Sequence, residues 1–178
     1  MKNLKQISKL LIVGVLAVMP ALLSIGPSQE WFDRQKTQAA QVQRDFLCMR
    51  EVLWYESRND NEAGKRAVAS VVLNRVESKR FPDGICGVVQ QRMQFSYRNA
   101  LKNRKQILEP KPKVAELRKY QLVEQIAWEV ASGSFERTLP KNALWYHVHR
   151  VNPNWNAKMK RITVAGSKHI FLKGSDRG

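Results

Sequence analysis

The residue best suited to chemistry is Glu56, a carboxylate at the end of the most apolar stretch after the N-terminal region, in the run Val-Leu-Trp-Tyr-Glu-Ser-Arg at 52–58. From Phe46 to Tyr55 only Arg50 and Glu51 carry charge, so the segment reads as a buried helix. At about 100° per residue, Glu56 falls between Met49 and Val52 on the helical wheel, on the apolar arc with Leu53. Burial disfavours the charged form and raises a carboxyl pKa. A carboxyl that stays protonated near neutrality can act as a general acid. The competing reading is a buried glutamate paired with an arginine, Arg58 or Arg75.

The elements that must position Glu56 follow from the pattern around it. Ser57-Arg58-Asn59-Asp60-Asn61 is turn-rich and ends the first helix. Asn59 or Asn61 caps a second helix over Glu62 to Val76, with Glu62 in its first turn and Ala67, Val68, Val71, Val72 and Val76 on its buried face. Phe81-Pro82-Asp83-Gly84 is a turn, Val88 to Gln91 a short helical piece, and Gln94 to Tyr97 a loop. The stretch 98–112 is basic, carries Pro110 and Pro112, and is expected to be an exposed excursion. A third long helix is expected from Lys113 to Ser132, with Gly133 just past its end. Ala143–Tyr146, Ile162–Ala165 and His169–Leu172 read as short strands, the last two joined by Gly166-Ser167-Lys168. The expected class is α+β, mainly helical with a small C-terminal antiparallel sheet.

Lys2, Lys5 and Lys9 precede an apolar run from Leu10 to Gly26. That is the form of an export signal, or of a weak membrane anchor giving inner-membrane contact. Residues 1–26 are therefore read as an address, 27–44 as a polar, Gln-rich linker or solvated helix, and 45–178 as one domain. The net charge is +16, and the address accounts for only three of the basic residues. On an exported protein, such charge draws the chain to anionic envelope polymers rather than to nucleic acid. The densest basic stretch, Lys102 to Lys113, lacks the interleaved aromatics of a single-strand binding platform. Cys48 and Cys86 are the only cysteines. In an oxidising compartment they are expected to pair, tying the Glu56 helix to the turn at Gly84-Ile85-Cys86-Gly87.

Further motifs lie along the chain in a fixed order: Tyr55-Glu56-Ser57-Arg58, Glu62 to Ala69, Val72-Leu73-Asn74-Arg75-Val76, and Phe81-Pro82. Then come Ile85 to Val89, Gln94-Phe95-Ser96, Trp145-Tyr146-His147 and Gly166-x-x-His169-x-Phe171. In this order the chain resembles the SleB-like cell-wall hydrolase family, the spore-cortex-lytic type of domain, over roughly Phe46 to Leu172. Ser57, Asn59 and Asp60 depart from that family's pattern, and the turn before His169 is one residue longer. The resemblance implies a lysozyme-like fold acting on the glycan strands of peptidoglycan, between N-acetylmuramic acid and N-acetylglucosamine, with Glu56 as the catalytic acid.

A lytic transglycosylase needs one carboxylate. An inverting hydrolase needs a second, about 6.5–9.5 Å away, for which Asp60 and Glu62 are nearest in sequence. The expected substrate-binding residues are Gln94, Ser96, Tyr97, Tyr146 and His147, whose amide, hydroxyl and ring groups suit sugar recognition; Phe95 is expected in the core. No cofactor is expected. A second enzyme reading takes His147, His149 and His169 as zinc ligands of an amidase. A third takes the chain as a basic wall- or nucleic-acid-binding module in which Glu56 is structural.

Overall fold

The computed structural model describes residues 26–151 and 153–174. The expected address segment therefore lies outside the described residues except for Gly26, and among those described no helix is long and apolar enough to cross a membrane. The chain divides into two units, residues up to Ala40 and residues from Gln41 on.

Helix α1 is Gln29–Ser57. Its residues up to Ala40 are solvent-exposed, with Trp31 and Phe32 edge to face at 5.0 Å. The polar stretch expected as a linker or solvated helix is helical from Gln29 on. In the second unit, α1 buries Met49, Val52 and Leu53, the apolar arc read from the sequence, together with Cys48 and Trp54.

Helix α2, Glu62–Glu77, is capped by Asn61, whose side chain accepts a hydrogen bond from the Gly64 amide at 2.8 Å. It buries Ala67, Val68, Val71 and Val72 together with Ala69, Ser70, Asn74 and Arg75. A helix covered on so many sides needs small residues, and its Ala-Val composition supplies them. It packs against α3 (Ile85–Gln90), α4 (Leu117–Ala131) and strand β1 (Ala143–Val148). Helix α4 starts four residues later than Lys113, after a single 3-10 turn at Val114–Glu116. Gly133 follows it at φ 79°, the left-handed region that suits glycine past a helix end.

Strands β1, β2 (Lys160–Thr163) and β3 (His169–Lys173) form one antiparallel sheet in the order β1-β3-β2. Tyr146 pairs with Phe171 and Val148 with His169, which puts all four side chains on one face. The architecture is mainly helical with this small C-terminal sheet, as the sequence led us to expect.

Cys48 and Cys86 form a disulfide that ties α1 to α3. It closes a loop spanning 38 positions, so its reduction should cost about 2–4 kcal/mol of stability. Urea denaturation with and without reductant measures this. Equal midpoints, or two thiols alkylated in folded non-reduced protein, would refute the bridge.

The stretch 98–112 is largely exposed, as its charge led us to expect, but it is anchored to the core at Arg98. Arg98 is only 1 % exposed and pairs with Glu51 of α1, which is 0 % exposed. Arg98 also donates to the Arg104 and Gln106 carbonyls at 2.6 and 2.7 Å. Glu51 in turn accepts from the Leu108 amide at 2.7 Å and the Tyr97 hydroxyl at 3.0 Å. A carboxylate with no solvent is thus satisfied by one cation and two neutral donors, and the loop folds back around it.

Candidate active-site cleft

Glu56 is half-buried at the last turn of α1 and opens into a cleft of about 190 Å³. The cleft is lined also by Arg75, Gln94, Ser96, Tyr146 and His169, with Val148 and His147 on the β1 side. Of the five substrate-binding residues expected from sequence, the structure gathers Gln94, Ser96, Tyr146 and His147 around Glu56. Tyr97 stands apart from that lining. Its ring stacks on Tyr55 at 4.7 Å and its hydroxyl is engaged by Glu51.

Two buried residues of α2 set the position of β1. Asn74 donates to the carbonyls of Pro140 and Ala143 at 2.8 and 3.0 Å, and Arg75 Nε donates to the Leu144 carbonyl at 2.8 Å. With the strand so pegged, the Tyr146 hydroxyl donates to Glu56 Oε2 at 3.3 Å. Burial raises the Glu56 pKa above its ordinary value, while the Tyr146 hydrogen bond and the Arg75 charge hold it back in part. The two arginines weighed as ion-pair partners for Glu56 do not pair with it. Arg58 sits 3.9 Å from Glu116, and Arg75, 5 % exposed, leaves its buried Nη1 without a hydrogen-bond partner. Its guanidinium packs over the rings of Phe81, Phe95 and Tyr146 instead.

Asp60 is a brace for the hairpin between β2 and β3. Its Oδ1 accepts from the Asn61 and Lys168 amides, both at 2.9 Å. Its Oδ2 accepts from the Ser167 hydroxyl and meets His169 Nδ1, both at 2.8 Å. Burial alone would raise this carboxyl's pKa. The His169, Lys168, Ser167 and Asn61 hydrogen bonds outweigh it and hold the pKa below the ordinary value. Glycine is required at position 64 because a Cβ there would lie 2.4 Å from the Asp60 carboxylate. His169, held by Asp60, packs edge-on against Tyr146 at 5.2 Å. A chain of contacts therefore runs from Asp60 through His169 and Tyr146 to Glu56. Glu62, the other carboxylate weighed from sequence, pairs with Arg66 at 2.9 Å one turn along α2.

The three histidines do not converge. His147 Nε2 meets Asn156 Nδ2 at 3.1 Å and its ring lies against Trp155. His169 is committed to Asp60, and His149 is exposed. Among the described residues no three His, Cys, Asp or Glu side chains are grouped to hold a metal. Sequence reasoning had Arg75 only as a possible partner of Glu56 and missed its place in the cleft wall. The local signal was an arginine, otherwise costly to bury, on the apolar helix Val72-Leu73-Asn74-Arg75-Val76.

The chain is similar to the catalytic domain of the Bacillus cereus SleB protein, with a TM-score of 0.54 and 29 % identity over 74 % of this chain and 91 % of that one. It is also similar to the catalytic domain of the germination-specific lytic transglycosylase SleB of Bacillus anthracis, with a TM-score of 0.53 and 26 % identity over 74 % of this chain and 95 % of that one. In sequence it is 31 % identical over 132 residues to the spore cortex-lytic enzyme of Oceanobacillus iheyensis. That match takes in 74 % of this chain and 42 % of the length of that enzyme. Residues 59–172 match the cell wall hydrolase family, and the chain belongs to that family.

Proposed function

We propose that the protein degrades peptidoglycan as a lytic transglycosylase, cutting between N-acetylmuramic acid and N-acetylglucosamine with Glu56 as both acid and base. The observation that carries this reading is that, among the described residues, Glu56 is the one carboxylate lining the cleft of about 190 Å³, with its pKa raised by burial, while Asp60 lines the adjoining cavity with both oxygens taken by hydrogen-bond donors. Neutral Glu56 gives its proton to the glycosidic oxygen as the muramyl C1–O bond breaks. The carboxylate so formed takes the proton of the same sugar's C6 hydroxyl while O6 closes on C1. One strand then ends in a 1,6-anhydro ring and the other in a free hydroxyl. Glu56 has its proton back, and no water is consumed.

Between the two half-steps Glu56 is ionised, and Arg75 and the Tyr146 hydroxyl favour that state. An arginine remains a cation even when buried, so Arg75 supplies a fixed positive charge beside the acid. The alternative, inverting hydrolysis, asks a second carboxylate to activate water from about 6.5–9.5 Å away. Asp60 has four donors on its two oxygens, filling its acceptor sites. Glu62 is paired with Arg66 and does not line the cleft. Both facts favour the one-carboxylate route, as does the likeness to a protein described as a lytic transglycosylase. The proposed mechanism calls for no cofactor.

The same reading assigns residues 1–26 to export or weak anchoring, 45–178 to the enzyme domain, and the place of action to the cell envelope. The net charge of +16 suits attraction to anionic envelope polymers there. Digesting purified peptidoglycan and weighing the released fragments tests the proposal.

A further inference from the structure

Glu56 is shared by two cavities. One is the cleft described above. The second, of about 170 Å³, is lined by Tyr55, Glu56, Arg58, Asn59, Asp60 and Lys168, among others. Asn59, Val148 and Lys168 are shared in turn with a third cavity, of about 570 Å³, which adds His149, Arg150 and Ser167. The concave surface at Glu56 therefore continues without a break into a flank bounded by the α1–α2 junction, the end of β1 and the β2–β3 turn.

The chemistry of the third cavity, the outer part of that flank, is one-sided. Arg150 and Lys168 are exposed, and among the described residues neither side chain has an acidic partner. Lys119 adds a cation on the α4 side, where its Nζ donates to Asn59 Oδ1 at 2.9 Å. Arg58 borders the junction with only a 3.9 Å approach to Glu116. Lys65 registers the local field. Burial chiefly lowers its pKa, the Asp60 charge raises it, and the charges of Lys119 and Lys168 lower it again. The acidic groups of this surface, Glu56 and Asp60, line the second cavity. The third cavity has no acidic lining residue at all.

A glycan strand in the cleft brings an anion to this place. In peptidoglycan the muramic acid carries a short peptide on its C3 lactyl group, and such stems bear free carboxylates. That attachment lies on the same sugar whose C1–O bond is cut, so a stem must leave the strand close to Glu56. We infer that the basic flank formed by Arg150, Lys168 and their neighbours is a subsite for the acidic stem peptide, so that the enzyme favours stem-bearing strands over bare glycan. The inference rests on the glycan-cleaving reading of Glu56. A stem is favoured over a separate anionic polymer because it is tethered to the bound sugar, at the mouth of the same continuous cavity.

The test compares two substrates made from one peptidoglycan preparation, intact strands and strands stripped of their stems by an amidase. Wild-type protein should show a several-fold higher kcat/KM on intact strands, and that preference should shrink as salt is raised. In Arg150→Ala/Lys168→Ala protein the ratio of intact to stripped kcat/KM should fall about fivefold, in keeping with the modest worth of exposed ion pairs. The loss should sit in KM rather than kcat. A ratio unchanged in the double variant, or a wild-type preference indifferent to salt, overturns the subsite. So does a variant that loses binding to isolated wall polymer while keeping its preference for intact strands. Cleavage of stripped strands by wild type verifies the glycan reading separately. If wild type cuts neither substrate, that reading fails and takes the subsite with it.

Discussion

Glu56→Gln protein should fold and lose its wall-degrading activity, with turnover down by about 10²–10⁴-fold, the usual worth of a general acid. The amide keeps the shape and can still accept from Tyr146, whose hydroxyl lies 3.3 Å from Glu56 Oε2, but it has no proton to give. The same substitution should raise stability in alkaline solution. The folded-state pKa of Glu56 is above its ordinary value because of burial. Its favourable contribution is therefore full below the unfolded pKa and is lost as pH rises through the folded one. Gln does not titrate, so the variant should melt higher than wild type at about pH 8 and close to it at about pH 4. Activity within a few-fold of wild type would remove Glu56 from the mechanism. A melting difference unaffected by pH would show that Glu56 is not held in a desolvated setting.

The second large effect belongs to the Glu51–Arg98 pair. Arg98→Met should destabilise the fold by about 3–5 kcal/mol, since it leaves a buried carboxylate without its cation. Glu51 is 0 % exposed and accepts from the Leu108 amide and Tyr97 as well as Arg98, so the loop carrying Arg104 and Gln106 should loosen with it. The double replacement Glu51→Gln/Arg98→Met should recover part of the loss by removing the stranded charge. Chemical denaturation of the two variants measures both. A loss below about 1 kcal/mol for Arg98→Met would place the pair in solvent rather than in the core.

The parts of the molecule legible in the sequence are those fixed by short-range pattern. Met49, Val52, Leu53 and Glu56 share an arc of one helix, so the apolar spacing alone placed the acid at the edge of the core. The three strands were legible from their short β-branched and aromatic runs. The pairing of β2 with β3 followed from the turn at Gly166, which has a φ of 68°. The full length of α1 was not legible, because residues 29 to 44 have no apolar period to separate a solvated helix from a linker.

The structure departs from the sequence reading where partners are far apart along the chain. Arg98 reads as one more base in a cationic stretch, and only Glu51, 47 positions away, makes it a core residue. Asp60 reads as a turn residue, while three of its four donors, Ser167, Lys168 and His169, lie at separations of 107 to 109. Tyr97 reads as a cleft aromatic beside Gln94 and Ser96, yet the same buried Glu51 takes its hydroxyl. Lys111 and Lys113 read as free surface. They are exposed, and they also line a cavity with Trp54, Tyr55 and Arg58, the turn of α1 next to Glu56.

The central claim is that Glu56 alone serves as acid and then base, and the ends of the product strands report on it most directly. Purified protein should release fragments from peptidoglycan whose muramic acid ends are the 1,6-anhydro form, lighter by one water than the reducing sugar and resistant to borohydride. Their yield should vanish in Glu56→Gln protein. Fragments ending in reducing muramic acid or reducing N-acetylglucosamine would show that water attacked, would require a second carboxylate, and would contradict the account.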